Sequence, residues 1–170
     1  MADITIVPLE RRHSRADFCC GRPHLDNFIR QSARTQHEHY QVRVFVACAE
    51  GDDDRVMGFY SLCVGAFAPA DVGAEAEGMF GRVGTAPAVY LAMLGVDQGA
   101  QGSGIGKALI RDALGRALHI AEHAGTYMVV LDAATDELIG YYEKLGFRQF
   151  SEGMRRMFIP LATVRQSVSA

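Results

Sequence analysis

Apolar and polar residues alternate from Ile4 to Leu9, the period of a strand with one covered face. Between His13 and His39, Pro23 suits a first helical turn, and Leu25, Phe28, Ile29 and Ala33 recur at helical spacing. That pattern predicts two short helices packed on a sheet. Val42–Ala49 and the longer Val56–Phe67 read as strands joined by a hairpin loop, Glu50 to Asp54. Ala68–Thr85 carries four glycines and little periodicity, and is expected to be a mobile connection.

Ala88–Val96 is an apolar run bounded by Pro87 and Asp97, as in a buried strand. A glycine-rich turn follows, Gln98 to Gly106, and then an amphipathic helix expected to stop at Gly125. Its apolar arc holds Leu109, Ile110, Ala113, Leu114, Ala117, Ile120 and Ala121; Lys107, Arg111, Asp112, His119, Glu122 and His123 fall opposite. Tyr127–Leu131 is apolar without alternation, so strand, helix and strand make a parallel crossover. Thr135 is placed to cap a further helix that Gly146 ends, with Phe147 covering the stop. Met154–Ile159 supplies a last strand closed by Pro160, and Ser167–Ala170 reads as a frayed tail.

A chain of 170 residues, 49% apolar and 22% charged with net charge −3, is of single-domain length and ordinary globular composition. No signal-like or membrane-spanning apolar run appears. Cys19, Cys20, Cys48 and Cys63 form no CxxC pair, which fits buried, reduced thiols in a cytoplasmic protein.

Strand, glycine turn and helix together make an anion-binding device. The first N–H groups of a helix lack internal acceptors, and glycine lets a phosphate approach them. The spacing excludes two phosphate loops. A Walker loop needs glycine where Gln101 stands and Ser or Thr where Ala108 stands; a dinucleotide fingerprint needs glycine where Lys107 stands. What remains is Gln101-x-x-Gly104-x-Gly106, which resembles the acetyl-CoA motif of the GNAT N-acetyltransferases. A second stretch, Tyr141-Tyr142-Glu143-Lys144-Leu145-Gly146-Phe147, resembles the signature closing that family's core.

The resemblance implies an α/β fold: a single GNAT-like domain over residues 1–170 with a mixed, mostly antiparallel central sheet flanked by helices. Its parallel β-α-β acetyl-CoA core would span about residues 88–147. It also implies acetyl-CoA held by Gln101, Gly102, Ser103, Gly104, Ile105, Gly106 and Lys107, with backbone N–H groups of Leu94, Gly95 and Val96 facing pantetheine and the acetyl oxygen. Tyr142 would protonate the departing thiolate, while Tyr141 packs. Many members carry an asparagine where Thr135 stands, so a side-chain contact to the cofactor is not expected there. The central strand offers no carboxylate base. An α-amine with pKa near ~7.7 needs less help than a lysine near ~10.4, so the lack leans toward an α-amine acceptor.

Phe18-Cys19-Cys20-Gly21, Leu25-Asp26-Asn27-Phe28, Val44-Phe45-Val46 and Gly58-Phe59-Tyr60-Ser61-Leu62 resemble one branch of the family. These are toxins of bacterial toxin–antitoxin pairs, which acetylate aminoacyl-tRNA and are silenced by a ribbon-helix-helix antitoxin. Small-molecule or protein acetylation, and a CoA-binding domain without turnover, remain the alternatives, and a homodimer stays open. The acidic net charge argues against a grip on tRNA, although Arg11, Arg12, Arg15, Arg22, Arg30 and Arg34 cluster early and Lys144, Arg148, Arg155 and Arg156 late.

No metal is expected. Asp52, Asp53 and Asp54 read as a solvated loop tip. His119-Ile120-Ala121-Glu122-His123 spells the inverted zinc-protease signature, but both histidines fall in the polar arc.

Overall fold

The computed structural model describes residues 4–49 and 51–169, without the side chains of Asp53, Val168 and Ser169. The chain runs β1 (Ile4–Pro8), α1 (Pro23–Asn27), a π-helical turn (Phe28–Ser32), α2 (Ala33–Glu38), β2 (Arg43–Ala49) and β3 (Asp52–Phe67). Next come α3 (Pro69–Val72), α4 (Ala74–Phe80), β4 (Ala86–Val96), a 3-10 turn (Gln98–Ala100) and α5 (Ile105–Ala121). The chain closes with β5 (Met128–Asp132), α6 (Glu137–Lys144), β6 (Arg148–Gln149), β7 (Arg156–Pro160) and α7 (Leu161–Ser169). The strands form one seven-stranded mixed sheet in the order β1-β2-β3-β4-β5-β7-β6. Within it β4 and β5 pair in parallel, as the crossover predicts, and β1–β2, β2–β3, β5–β7 and β6–β7 are antiparallel.

The chain divides into two compact units, each made of two stretches: Met1–Cys63 with Ala92–Ala113, and Val64–Leu91 with Leu114–Ala170. In the first, Val44, Val46 and Cys48 line one face of β2 and meet the apolar face of α1, the π-turn and α2. Phe59 is the centre of that core, edge-on to Phe18 at 5.3 Å and stacked on Phe28 at 5.9 Å. The opposite face is covered too. Phe45 stacks on its cross-strand partner Tyr60 at 5.1 Å, and the Tyr60 hydroxyl donates to the Asp112 carboxylate of α5. This explains why β2 reads as a continuous apolar run.

Two buried histidines tie loops to this unit. His37 Nδ1 accepts the Val44 N–H at 2.9 Å, and His13 Nδ1 accepts the Glu10 N–H at 2.8 Å. Both rings therefore act as neutral acceptors, and burial lowers both pKa values. The hairpin also differs from expectation. β3 begins at Asp52, and the register slips at Ala47/Cys48 and Cys48/Ala49, so the expected loop is largely a bulged ladder; Glu50 lies outside the described residues.

The second unit is built around Ala86, Ala88, Met128, Val130 and Phe158, with Val72 and Ala76 from the preceding helices. Here the expected mobile connection is two helices, α3 and α4, broken at Gly73, whose φ of +132° glycine tolerates best. Each buries a single small patch, too short to show a period. The tail differs as well: Pro160 is the last residue of β7, and α7 starts at Leu161, with Leu161 and Val164 buried. Ser167 belongs to that helix; Ala170 lies outside the described residues.

Candidate active site

β4 delivers the chain into the turn. Its parallel pairing with β5 covers Ala88–Leu91 opposite Met128–Leu131, and the strand then continues to Val96. Gly95 is buried, and a Cβ there would meet the Phe59 ring at 3.0 Å and the Cys20 sulfur at 3.5 Å. Its missing side chain is thus needed for packing as well as for any ligand approach.

Beyond β4 the turn is held by its own side chains. Asp97 Oδ1 accepts the Gly99 N–H at 3.0 Å, and the Ser103 hydroxyl donates to the Ala100 carbonyl at 2.6 Å. Gly102 and Gly104 have φ of +78° and +90°, conformations that L residues rarely adopt. Gln101 to Gly104 are exposed, and a Cβ on Gly102 would meet nothing within 4 Å, so the turn borders open space.

Ile105 is buried and anchors the first turn of α5, where Ala108 N–H bonds back to the Gly104 carbonyl at 3.1 Å. The N–H groups of Ile105, Gly106 and Lys107 precede that first bond and have no acceptor one turn back. They are the donors an anion would find, at the positive end of a 17-residue helix. The expected helix core holds: Leu109, Ile110, Ala113 and Ala117 are buried. The helix ends at Ala121, ahead of the expected Gly125.

Gln101 behaves differently from its glycine neighbours. Its amide Nε2 donates to the carbonyl of Val96 at 3.0 Å and to that of Cys20 at 3.2 Å. The side chain therefore closes the turn onto the strand and the N-terminal segment. Two further bonds complete the clamp: Cys19 N–H donates to Asp97 Oδ2 at 3.0 Å, and Gln98 N–H donates to the Cys19 carbonyl at 2.8 Å. Buried Asp26 holds the same segment by accepting the Cys20 N–H at 2.7 Å. Desolvation alone would raise the Asp26 pKa, but the hydrogen bonds from Cys20 and the charge of Arg30 together lower it. Burial, with the neighbouring carboxylate, pushes the Cys20 thiol up to about 11, so it stays protonated and unreactive. Of the thiols, Cys48 is buried and the other three half-buried.

Tyr142 lies in the second unit, on α6. It is only 8% exposed and packs edge-on to Phe147 at 5.8 Å and to Tyr141 at 5.4 Å. Tyr141 is 37% exposed, so the two tyrosines present different faces of the helix. Gly146 ends α6 with φ +95°, and Phe147 is buried against the stop. The expected cap is not formed. Asp136 occupies the N-cap position without a side-chain cap bond and instead accepts from Arg155 at 2.7 Å. Thr135 bonds the Glu137 carboxylate, whose pKa is lowered first by its own backbone N–H and then by that hydroxyl.

A polar cluster that the sequence reading did not single out stands at the end of the parallel pair. The Tyr90 hydroxyl donates to Asp132 Oδ2, and Arg156 grips the same carboxylate through Nε at 2.9 Å and Nη2 at 3.0 Å. Its guanidinium lies over the Phe67 ring at 5.4 Å. Burial, then the bond to Asp132, pushes the Tyr90 pKa up to about 12. Burial works to raise the Asp132 pKa, but the bonds from Arg156 and Tyr90 outweigh it.

A profile of the "Acetyltransferase (GNAT) family" matches residues 10–147. A probable toxin TacT from Sinorhizobium fredii is 34% identical over 168 residues, covering 94% of this chain and 92% of that protein. A tRNA-acetylating toxin from Mycobacterium tuberculosis is 37% identical over 142 residues, covering 81% and 82%. Among solved structures, AtaT complexed with acetyl-methionyl-tRNAfMet superposes with TM-score 0.86 at 23% identity, covering 98% of this chain and 99% of that one. A Tyr-to-Phe variant of AtaT bound to the C-terminus of its antitoxin AtaR and acetyl-CoA gives TM-score 0.82 at 23% identity, covering 99% of each. Among the described residues, no helix is long and apolar enough to cross a membrane.

Proposed function

Because the chain belongs to the acetyltransferase (GNAT) family, an acetyl-CoA-dependent N-acetyltransferase family, we propose that its acceptor is the α-amino group of aminoacyl-tRNA. In this reading it is the toxin of a toxin–antitoxin pair, held silent in the cytoplasm by a ribbon-helix-helix antitoxin, with residues 1–170 working as one catalytic domain. The observation that carries the proposal is the reach of the likeness: 37% identity to a protein named for tRNA acetylation runs through 142 residues.

The chemistry needs three things: a held thioester, a place for charge on its oxygen, and a proton for the leaving sulfur. Gly102, Gly104 and the N–H groups of Ile105, Gly106 and Lys107 would take the pyrophosphate, and Lys107 adds a positive charge at the helix start. Ser103 and Gln101 act indirectly, because their polar hydrogens already hold the turn. N–H groups of Leu94, Gly95 and Val96, on the part of β4 beyond its pairing with β5, are the donors for pantetheine and the developing oxyanion. Such fixed donors contribute roughly 3–4 kcal/mol each. The amine attacks as the neutral base, Tyr142 supplies the proton to the departing thiolate, and the proton that the attacking nitrogen sheds restores the tyrosine through solvent, so that amide and thiol are the products.

The test is acetyl transfer from acetyl-CoA to charged total tRNA, run beside polyamines, peptides and aminoglycosides across a salt series. Acetylated aminoacyl-tRNA whose yield falls steeply with salt is the expected result, since each phosphate contact releases counterions. Efficient acetylation of a small amine with charged tRNA inert at low salt would overturn the tRNA reading.

A further inference from the structure

The H-x-x-E-H stretch at the end of α5 takes no part in acetyl transfer as described above. We propose that His119, Glu122 and His123 form a surface site for one divalent transition-metal ion of the zinc, nickel or copper class.

Residues four apart share a helix face. His119 stands in the last turn of α5, and the helical path continues past Ala121: His123 N–H bonds to the Ile120 carbonyl at 3.0 Å. The two rings lie 5.0 Å apart between centroids. One nitrogen from each histidine and one oxygen of Glu122 all fall within 4.8 Å of one another. Two nitrogens bound to one zinc at about 2.0–2.1 Å sit roughly 3.3 Å apart, so a small rotamer change closes the site. The side chains are free to make it: those of His119 and Glu122 are 75% and 69% exposed.

The surroundings already orient the ligands. His123 Nδ1 lies 3.1 Å from the His119 carbonyl oxygen, so the Nδ1–H donates there and Nε2 keeps its lone pair for an ion. His119 Nδ1 lies 3.2 Å from Glu122 Oε2, which places a carboxylate beside the pair as a third ligand or as the group that aims the ring. Two imidazoles and one carboxylate select zinc, nickel or copper over magnesium or calcium, which prefer all-oxygen sets. The negative end of the α5 dipole favours a cation at this place. Both rings face solvent, and water would complete the coordination. The site is a clip that ties the residues after Ala121 to the last turn of α5.

The experiment is calorimetric titration of the untagged, metal-stripped full chain with ZnCl2 and with NiCl2, alongside thermal melting with and without one equivalent of metal. One equivalent should bind and raise the melting temperature. His119→Gln and His123→Gln should each weaken binding at least tenfold, and Glu122→Gln should weaken it less. The metal-free variants should melt with the wild type, since all three side chains are exposed. His24→Gln and His39→Gln, at exposed histidines elsewhere, should bind as the wild type does. Three results overturn the proposal: no binding by the wild type, full binding by the His119→Gln/His123→Gln double variant, or equal binding of MgCl2.

Discussion

The side-chain amide of Gln101 donates to the backbone carbonyl of Cys20, 81 residues earlier in the chain, across 3.2 Å. One residue of the anion-binding turn is thereby fastened to the segment that precedes α1. Neutral hydrogen bonds of this kind contribute about 1 kcal/mol each, and Gln101 makes two. Gln101→Ala should therefore weaken acetyl-CoA binding by about tenfold by loosening the turn, with little change in turnover at saturating cofactor. Calorimetry and steady-state kinetics separate the two effects. A loss of turnover without a loss of affinity would place the side chain in the chemistry instead.

At Gly104, φ is +90° and the exposed turn leads directly into α5. Gly104→Asp adds a strained backbone and a negative charge where pyrophosphate is expected. Acetyl-CoA affinity should fall tenfold or more, at least about 1.4 kcal/mol. Unchanged affinity would remove the turn from the site.

Tyr142→Phe keeps the ring that packs on Phe147 and deletes only the hydroxyl. Turnover should drop by ~10²–10⁴, the usual range for general acid catalysis, while acetyl-CoA affinity stays near wild type. The exposed neighbour is the internal control. A larger loss from Tyr141→Phe would reverse the assignment.

Much of this layout was readable from residue order. The run Ala88–Val96 and the long amphipathic period after Gly104 are continuous signals, and β4, the turn and α5 follow them. The helices α3 and α4 escaped because 4 and 7 residues leave no period to read and Gly73 looks like a loop. Pro160 closes β7 as expected, whereas the short helix α7, which begins one residue later, carries no such signal. The same contrast holds at the candidate site. Gly102, Gly104 and Gly106 form a contiguous motif, whereas the bond from Cys19 N–H to Asp97 joins residues 78 apart. A backbone–carboxylate contact of that reach leaves no pattern in either segment.

Acid should destabilise the first unit through His13 and His37. Both are buried, and both accept a backbone N–H at Nδ1, so protonation breaks the bond as well as charging the ring. Burial lowers both pKa values below the usual 6.5. Between the lowered values and 6.5 the unfolded chain binds more protons than the folded one, so stability rises with pH there. Their contribution is fully present above pH 6.5 and is lost as pH falls below it toward the lowered values. Urea midpoints measured from pH 7.5 down to about 5 should decline, and the decline should be shallower in a His13→Asn/His37→Asn variant. An equal slope in both proteins would clear the two rings of the effect.

The late basic residues should not contribute equally to tRNA. Arg156 is matched by Asp132 and Arg155 by Asp136, whereas Arg148 lies over the Phe158 ring. Lys144→Ala and Arg148→Ala should each flatten the salt dependence of tRNA acetylation by about 0.7–0.9 in the logarithmic slope. Arg155→Ala should change it less. Equal flattening at all three would mean that the aspartates release their partners when RNA binds.

Each compact unit is assembled from two separated stretches, and the pieces interleave along the chain. Synthesis proceeds from the N-terminus, so the first unit lacks its second stretch until Ala113 has left the ribosome, and the second unit waits for the stretch that begins at Leu114. A message cut short before Ala113 therefore yields neither unit whole, and one cut between Ala113 and α7 yields the first without the second.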